Sequence, residues 1–248
     1  MASTNFLTAE WNDLLLANYA VDPAILQPHV PIGTELDLYE GVAYVSLVAF
    51  RFEDTRLLGI PIPFHINFEE VNLRFYVKAF QDGEWKRGVV FVKEIVPKPA
   101  IAWVANVVYR EPYVTRRMDH KLEMSEDHRT IQYRWKEGQE WQEISAVADA
   151  QSVPLYSVDP AATFITEHYW GYTKWSDRKT TGYEVVHPSW EVFPIRQYRI
   201  SVDVAATYGP QWAEAMPSSP DSVFWAQGSE VAVRSGFTLT EGAKSSPV

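Results

Sequence analysis

Phe68–Phe80 reads FEEVNLRFYVKAF, and this stretch decides the fold class because apolar and polar residues alternate along it. A period of two residues predicts a β-strand with two different faces. The turn sequence QDGE at 81–84 follows, and Trp85–Val96 returns as a partner strand, so the two segments predict a β-hairpin. One face of the first strand carries Val71, Leu73, Phe75 and Val77, and the other carries Glu70, Asn72, Arg74 and Tyr76.

The polar face of this strand is the first candidate for a functional site. In an open sheet the face would be an ordinary solvated surface, whereas in a barrel it would line the lumen. An inward Arg74 beside an inward Glu70 would form a pair able to hold a carboxylate or an enolate. The alternating pattern leaves both alternatives open.

Strand patterns recur through most of the chain. They lie at Tyr39–Phe52, Lys121–Met124, Arg129–Lys136, Trp141–Asp149, His168–Trp175, Gly182–His187, Ile195–Val204, Ser222–Ala226 and Glu230–Gly236. Short helices are expected at Asp159–Glu167 and within Ala205–Met216. We predict a mainly β, antiparallel single domain over residues 1–238 and a flexible tail at 239–248. Closing the sheet into a barrel, or half closing it, would hide its edges.

Lys98–Tyr109, KPAIAWVANVVY, has a different pattern and predicts a helix that begins at a proline and ends before Pro112. The segment is apolar on nearly every side. A helix of this kind must be buried on nearly every side, so we expect it inside the curved sheet or plugging it.

Composition excludes several classes of function. The 22 Lys and Arg residues against 32 Asp and Glu residues give a formal net charge of −10, so we expect no nucleic-acid partner. The absence of cysteine excludes disulfides, thiolate metal sites and a cysteine nucleophile. The 12 Phe, 10 Trp and 13 Tyr residues, together with 16 Pro and 12 Gly, favour a turn-rich β protein with a roomy apolar interior.

Targeting and cofactor motifs are also missing from the sequence. The N-terminal segment has no basic region, and no stretch approaches the roughly 20 apolar residues that span a bilayer, so we expect a cytoplasmic protein with no membrane partner. The six histidines lack metal-ligand spacing, and the common phosphate-loop, dinucleotide, nucleophile-elbow and zinc-pair motifs do not occur. We therefore predict no metal and no cofactor.

Three further segments hold candidate site residues. His168 has a side chain that can carry a proton near neutral pH, and aromatic residues follow it. Pro188 fixes a bend between His187 and Trp190, and Tyr113 would point from the helix end into an enclosed cavity. For each, a packed structural role is the competing interpretation. The predicted catalytic residues are Glu70, Tyr113 and His168, and the predicted ligand-binding residues are Asn72, Arg74, Tyr76, Arg116, Tyr169, Tyr172, His187 and Trp190.

Several short motifs occur in an order that resembles a known family. They are VDP at 21–23, PIG at 31–33, ExNxRxYV at 70–77, EPY at 111–113, TEHY at 166–169 and HPSW at 187–190. The chain resembles the YqjF-like proteins, an uncharacterised family of the acetoacetate decarboxylase-like superfamily, over about Trp11 to Gly236. This resemblance implies a cone-shaped, mainly antiparallel β-barrel with one buried helix and, often, a homo-oligomer.

The resemblance also implies a difference in chemistry. Acetoacetate decarboxylases have Gly-Phe-Pro-Lys-Lys after the helix, and the first lysine forms a Schiff base. The matching stretch here is REPYV at 110–114, so Tyr113 stands where the nucleophilic amine should be and Val114 replaces the second lysine. A phenol cannot form an iminium. Glu70 matches a decarboxylase glutamate, whereas Ala20 replaces an arginine of the decarboxylases.

Three functions follow from these observations. The first is a protein that binds a small carbonyl or carboxylate compound, as a ligand or as the substrate of a reaction without a Schiff base. The second is a non-catalytic structural or interaction protein, which predicts a lumen filled by Trp and Tyr side chains. The third is a decarboxylase that uses another lysine, such as Lys93 or Lys98.

Overall fold

The structure is a computed structural model that describes residues 5–240. Its strands are β1 (Asn5–Val21), β2 (Glu35–Leu36), β3 (Ala43–Leu57), β4 (Ile60–Pro61), β5 (Phe68–Gln81), β6 (Glu84–Val96), β7 (Tyr113–Thr115), β8 (Met118–Met124), β9 (His128–Glu137), β10 (Glu140–Asp149), β11 (Val153–Pro154), β12 (Trp170–Ser176), β13 (Lys179–Val186), β14 (Glu191–Phe193), β15 (Ile195–Ser201) and β16 (Ser222–Thr240). Its α-helices are α1 (Pro23–Leu26), α2 (Pro99–Val104), α3 (Pro160–Thr166), α4 (Val204–Tyr208) and α5 (Pro210–Ala215). A π-helix at Ala105–Tyr109 continues α2, and 3-10 turns lie at Gln27–His29 and Leu155–Ser157.

The main sheet closes on itself. Its strands pair in the order β1-β3-β5-β6-β12-β13-β16, and β16 pairs back with β1. Each of these pairings is antiparallel except the short one between β6 and β12. Gly228, with φ +90°, allows the closure, because a Cβ atom there would lie 1.8 Å from the carbonyl oxygen of Trp11. The predicted mainly β fold is confirmed.

A second sheet, in the order β15-β10-β9-β8, covers one side of the ring. The predicted hairpin is confirmed as β5 and β6, and the apolar face of β5 packs with this second sheet in one core. The polar face of β5 therefore points into the ring. Of the two alternatives for that face, a solvated surface or the lumen, the structure shows the lumen. The shared core includes Val71, Leu73, Phe75, Val77, Ile131, Tyr133 and Trp135.

Two long strands differ from the sequence expectation. The N-terminal segment was not expected to be a strand, yet β1 runs for 17 residues, and β16 joins two predicted strands into one. In β1, Leu14–Ala17 is buried on both faces because the ring interior lies on one side and the second sheet on the other. A strand covered on both faces loses the alternating pattern that reveals strands in a sequence.

The expected burial of the apolar helix is wrong. One face of α2 and its π-helical continuation lines the ring interior, but Trp103 is 65% exposed and Val107 is 57% exposed. The helix lies against the ring opening, so only one face is covered. Among residues 5–240, no helix is long and apolar enough to cross a bilayer.

The predicted tail begins inside a strand. Leu239 and Thr240 pair with Thr180 and Lys179 of β13, so the expected boundary at 239 falls within β16. The remaining residues of that predicted tail, 241–248, lie outside the described residues.

A buried ionic cluster joins the second sheet to the ring. Asp13 has φ 54° and lies where an extra residue interrupts the pairing of β1 with β3. Its carboxylate oxygens are 2.7 Å from Nη2 of Arg51, 3.5 Å from Nη2 of Arg129 and 3.0 Å from Nε1 of Trp225. The Tyr133 hydroxyl donates to the Asp13 carbonyl oxygen at 2.8 Å. Strands β1, β3, β9 and β16 therefore converge on one carboxylate.

Replacing Asp13 with Asn should lower the free energy of unfolding by about 3 kcal/mol, because the partly buried guanidinium groups of Arg51 and Arg129 both lose the Asp13 carboxylate, although Arg51 retains its ion pair with Glu53. Asn tolerates the left-handed backbone, so the substitution tests charge rather than conformation. Asp177→Asn is the control, since the Asp177 carboxylate is 92% exposed and should matter by less than about 0.5 kcal/mol. Urea unfolding measures both variants, and equal losses would contradict the assigned role of Asp13.

Candidate functional site

A cavity of about 300 Å³ lies inside the ring. Every ring strand contributes to its wall, and α2 with the π-helical segment covers part of it. Its volume is at the lower end of the roughly 300–1,000 Å³ typical of ligand pockets. The ring strands supply, among others, Leu14, Val48, Glu70, Glu94, Gly171, Tyr183 and Val233.

Glu70 and Tyr113 form the centre of the polar part of this cavity. The Tyr113 hydroxyl donates to Oε2 of Glu70 at 3.1 Å, and Nδ2 of Asn72 donates to Oε1 of Glu70 at 2.9 Å. The Asn106 side chain fixes the Tyr113 backbone from the π-helical segment, with bonds of 2.9 and 3.0 Å to its carbonyl oxygen and amide. The segment at the ring opening therefore positions Tyr113 against Glu70.

Burial makes Glu70 an acid–base group near neutral pH. Removal from water raises the pKa of Glu70 to about 7, despite the hydrogen bonds from Asn72 and Tyr113 and the charge of Arg74, which lower it. Burial and the nearby carboxylates raise the pKa of the Tyr113 phenol well above its ordinary value. Tyr113 therefore stays a neutral donor while Glu70 changes its protonation state.

Two further carboxyl groups in the cavity were not singled out from the sequence. Burial raises the pKa of Glu111 to about 7, and burial together with Glu111 and Glu70 raises the pKa of Glu94 well above its ordinary value. The Thr173 hydroxyl donates to Glu111. Oε2 of Glu94 is buried and has no hydrogen-bond partner in residues 5–240. Burial therefore favours the neutral carboxylic acid form of Glu94, which has a free oxygen in the cavity.

Arg74 is the cation that faces this carboxyl group cluster. It lines the cavity, and its buried Nε atom has no hydrogen-bond partner within the described chain. Its Cζ atom lies 5.8 Å from the Tyr76 ring centroid. An arginine with unsatisfied donors in a cavity can bind a ligand carboxylate.

His168 lines the cavity in a state that differs from the expectation. Its Nε2 atom is 3.1 Å from Oδ2 of Asp37, which also accepts a bond from Nε of Arg87 at 2.6 Å. Burial outweighs the attraction of Asp37 and lowers the pKa of His168 to about 4. His168 is therefore neutral near pH 7, with Nε2–H donating to Asp37 and a buried Nδ1 that has no partner among the described residues.

His187 and Trp190 form one stacked wall of the cavity. Their ring centroids are 4.1 Å apart, and Nδ1 of His187 bonds to the Pro188 carbonyl oxygen at 2.9 Å. Burial lowers the pKa of His187. The bend at Pro188 thus brings both predicted residues to the site.

Four predicted ligand-binding residues lie outside the cavity wall. The Tyr76 hydroxyl bonds to Ser46 beneath the His168 ring, and Arg116 forms an ion pair with Glu137 at 3.0 Å. Tyr172 follows Gly171 on the strand, so its side chain points to the opposite face, where its hydroxyl donates to the Lys86 carbonyl oxygen. Tyr169 bonds to Glu167 and packs against the His187 ring. These contacts hold the four side chains away from the cavity wall, and their predicted role in ligand binding stays a prediction.

A one-residue bulge explains why Glu94 was missed. Near the turn, residues of β5 and β6 pair so that Arg74 faces Phe91, but beyond Val92 the register shifts and Asn72 faces Glu94. An unbroken register would place Lys93 opposite Asn72, inside the ring. The bulge sends Lys93 to the other face, where its ammonium contacts the Thr207 carbonyl oxygen.

The fold places the chain in a class of known architecture. It is similar to acetoacetate decarboxylase from Legionella pneumophila, with a TM-score of 0.62 and 16% identity over 95% of this chain and 88% of that one. It is also similar to the enduracididine biosynthesis enzyme MppR, solved with the condensation product of pyruvate and imidazole 4-carboxaldehyde, with a TM-score of 0.65 and 12% identity over 96% of this chain and 90% of that one. The chain thus has an acetoacetate decarboxylase-like fold.

The chain belongs to the DUF2071 family, described as an uncharacterized conserved protein, whose model matches residues 8–230. It is 29% identical over 222 residues to the uncharacterized protein YqjF of Bacillus subtilis (strain 168), covering 87% of this chain and 88% of that protein. The resemblance inferred from the motif order is confirmed.

Glu70 should make stability depend on pH. Its folded-state pKa of about 7 exceeds its ordinary value of 4.5, so the protonated form is favoured in the folded chain and stability is lost as pH rises through 7. Glu70→Gln should be more stable than the wild type at pH 8, by up to about 3 kcal/mol, and closer to it at pH 5. Thermal unfolding at both pH values measures this difference.

The matched control for this experiment is Glu126→Gln, because Glu126 is exposed in a turn. Its difference from the wild type should be small at both pH values. A Glu70→Gln difference that does not change between pH 5 and pH 8 would show that Glu70 is not a desolvated acid in the folded protein.

Proposed function

We propose that the chain is an enzyme that transfers a proton at the carbon atom next to the carbonyl group of a small carboxylate. The observation that carries the proposal is the placement of Glu70, with its pKa of about 7, in one cavity with the Tyr113 phenol and Arg74. A base with a pKa near the working pH is best suited to proton abstraction. The carboxyl groups and the arginine provide the acid, the base and the anchor.

The proposed reaction uses each group at a defined point. Arg74 binds the substrate carboxylate, and ionised Glu70 takes the proton as the carbon–hydrogen bond breaks. The bonding electrons move to the carbonyl oxygen, which becomes an enolate. Neutral Glu94 and the Tyr113 phenol can donate hydrogen bonds to that oxygen. Transfer of a proton from neutral Glu94 to the enolate oxygen gives the enol tautomer, and the reverse steps return the keto form, so this tautomerisation balances without a co-reactant.

Two other functions are less well supported. A purely structural role predicts a filled lumen, whereas the ring encloses about 300 Å³ beside unpartnered polar atoms. A Schiff-base decarboxylase needs a lysine at the site, yet no lysine lines the cavity among residues 5–240, and the Lys93 ammonium bonds on the outer face of β6. Lys98 lies at the start of α2 and is likewise absent from the described wall.

Proton NMR in D₂O tests the reaction directly. The methyl protons of pyruvate should exchange for deuterium faster with the wild-type protein than without it. Glu70→Gln should slow the protein-dependent exchange by about 100-fold or more, because the base is lost. Exchange that is unchanged in Glu70→Gln would rule out Glu70 as the base, and no exchange with any small 2-oxo acid would refute the proposed reaction.

The control for the exchange experiment is Glu123→Gln, since Glu123 lies on β8 and its side chain is 61% exposed. This variant should exchange pyruvate protons at the wild-type rate. Borohydride trapping with pyruvate, followed by mass spectrometry, should give no covalent adduct, and an adduct on a lysine would favour the Schiff-base alternative instead.

Carboxylate binding should depend on Arg74. Arg74→Ala should weaken pyruvate binding by about tenfold to 100-fold in calorimetry, because a charge-assisted bond in a buried site is lost. The control Arg199→Ala removes an exposed arginine of the second sheet and should leave affinity unchanged. Equal affinity in Arg74→Ala and the wild type would place the carboxylate elsewhere.

A further inference from the structure

The cavity wall changes in character from its buried end to its opening. The buried end carries the carboxyl groups of Glu70, Glu94 and Glu111. The outer wall is formed mainly by apolar side chains from β1, the β3–β4 hairpin and the residues just after it, and α2 with its π-helical continuation, and Thr55 and His65 also line the cavity. The apolar outer wall residues include Phe6, Leu7, Leu57, Ile62, Ile101, Val104 and Tyr109.

Several outer wall residues remain partly in water. Leu57 is 38% exposed, Ile62 is 42% exposed and Val104 is 37% exposed, although each lines the cavity. Exposed apolar surface in a concave site has a free-energy cost that an apolar ligand group would remove. A substrate as small as pyruvate, with its carboxylate at Arg74 and its carbonyl near Glu70, offers only a methyl group to this wall.

We infer that the substrate is an oxo acid with an extended apolar substituent, whose polar head reaches Glu70 and Arg74 and whose tail lies along the outer wall. This inference rests on the proposed function and adds the substrate class to it. The polar groups of the buried end orient the head, and the outer wall selects the tail by the area that it removes from water.

A homologous series of straight-chain 2-oxo acids from pyruvate to 2-oxooctanoate tests the inference by calorimetry. The dissociation constant should fall about threefold to fourfold for each methylene that enters the outer wall. The proton exchange of the proposed reaction, measured at the carbon next to the carbonyl, should show the same order of apparent affinities.

A pair of variants on one helical segment locates the tail. Val104→Asn places a polar group in the outer wall and should reduce the gain in affinity per methylene. Val107→Asn is the matched control, because Val107 is exposed and does not line the cavity. Thermal unfolding of both variants checks that each is folded. A chain-length dependence that Val104→Asn and Val107→Asn leave equally intact would overturn the location of the tail.

The outcomes separate the inference from the proposed function. Equal affinity across the series, with binding and exchange that still require Arg74 and Glu70, would overturn the inferred substrate class and leave the proposed function standing. Failure of every member to bind, or binding that Arg74→Ala does not weaken, would overturn both.

Discussion

Hydrogen bonding between β1 and β16 closes the ring, and closure removes water from the space that the ring surrounds. The close approach of β16 to β1 requires Gly228. The Asp13 cluster holds the second sheet against the outer apolar face of the same ring. With both faces of the ring strands covered, polar side chains on the inner face have little solvent. Their protonation then depends on one another and on the ligand rather than on bulk water.

Burial inside the ring has a free-energy cost for ionised carboxyl groups. Three glutamates share the interior with Arg74, and burial shifts all three toward the neutral form. The three carboxyl groups do not all have to be ionised at once, so the ring interior avoids the free-energy cost of burying three negative charges together. His168 shows the same effect with the opposite charge, since burial keeps it neutral beside Asp37. The interior thus shifts the carboxyl groups toward neutral acids, and a carboxyl group whose pKa is raised to about 7, such as Glu70, can both take and give a proton near neutral pH.

Local patterns in the sequence were sufficient for the hairpin, for the set of side chains that share the polar face of β5 and for the motif order that indicates the family, but they left open whether that face points inward. They predicted Glu70 and Arg74 at the site because alternation fixes which side chains share a face. They did not predict β1, because a strand buried on both faces lacks the alternation of apolar and polar residues. They also did not predict the exposure of one face of the helix, because the position of the helix depends on the ring opening, which is formed by residues distant in sequence. The neutral state of His168 depends on burial by residues that are distant in sequence. The residue type and the neighbouring residues in the sequence therefore could not reveal this state.

The bulge between β5 and β6 has a consequence for how such sites diverge. Lys93 and Glu94 are adjacent, and the register alone decides which of them faces the interior. Inserting or deleting one residue in this strand would exchange a carboxyl group for an amine inside the ring without substituting either amino acid. Comparing relatives by residue identity at aligned positions would overlook such a change, because the change alters which face of the strand each residue occupies and leaves the residues themselves the same.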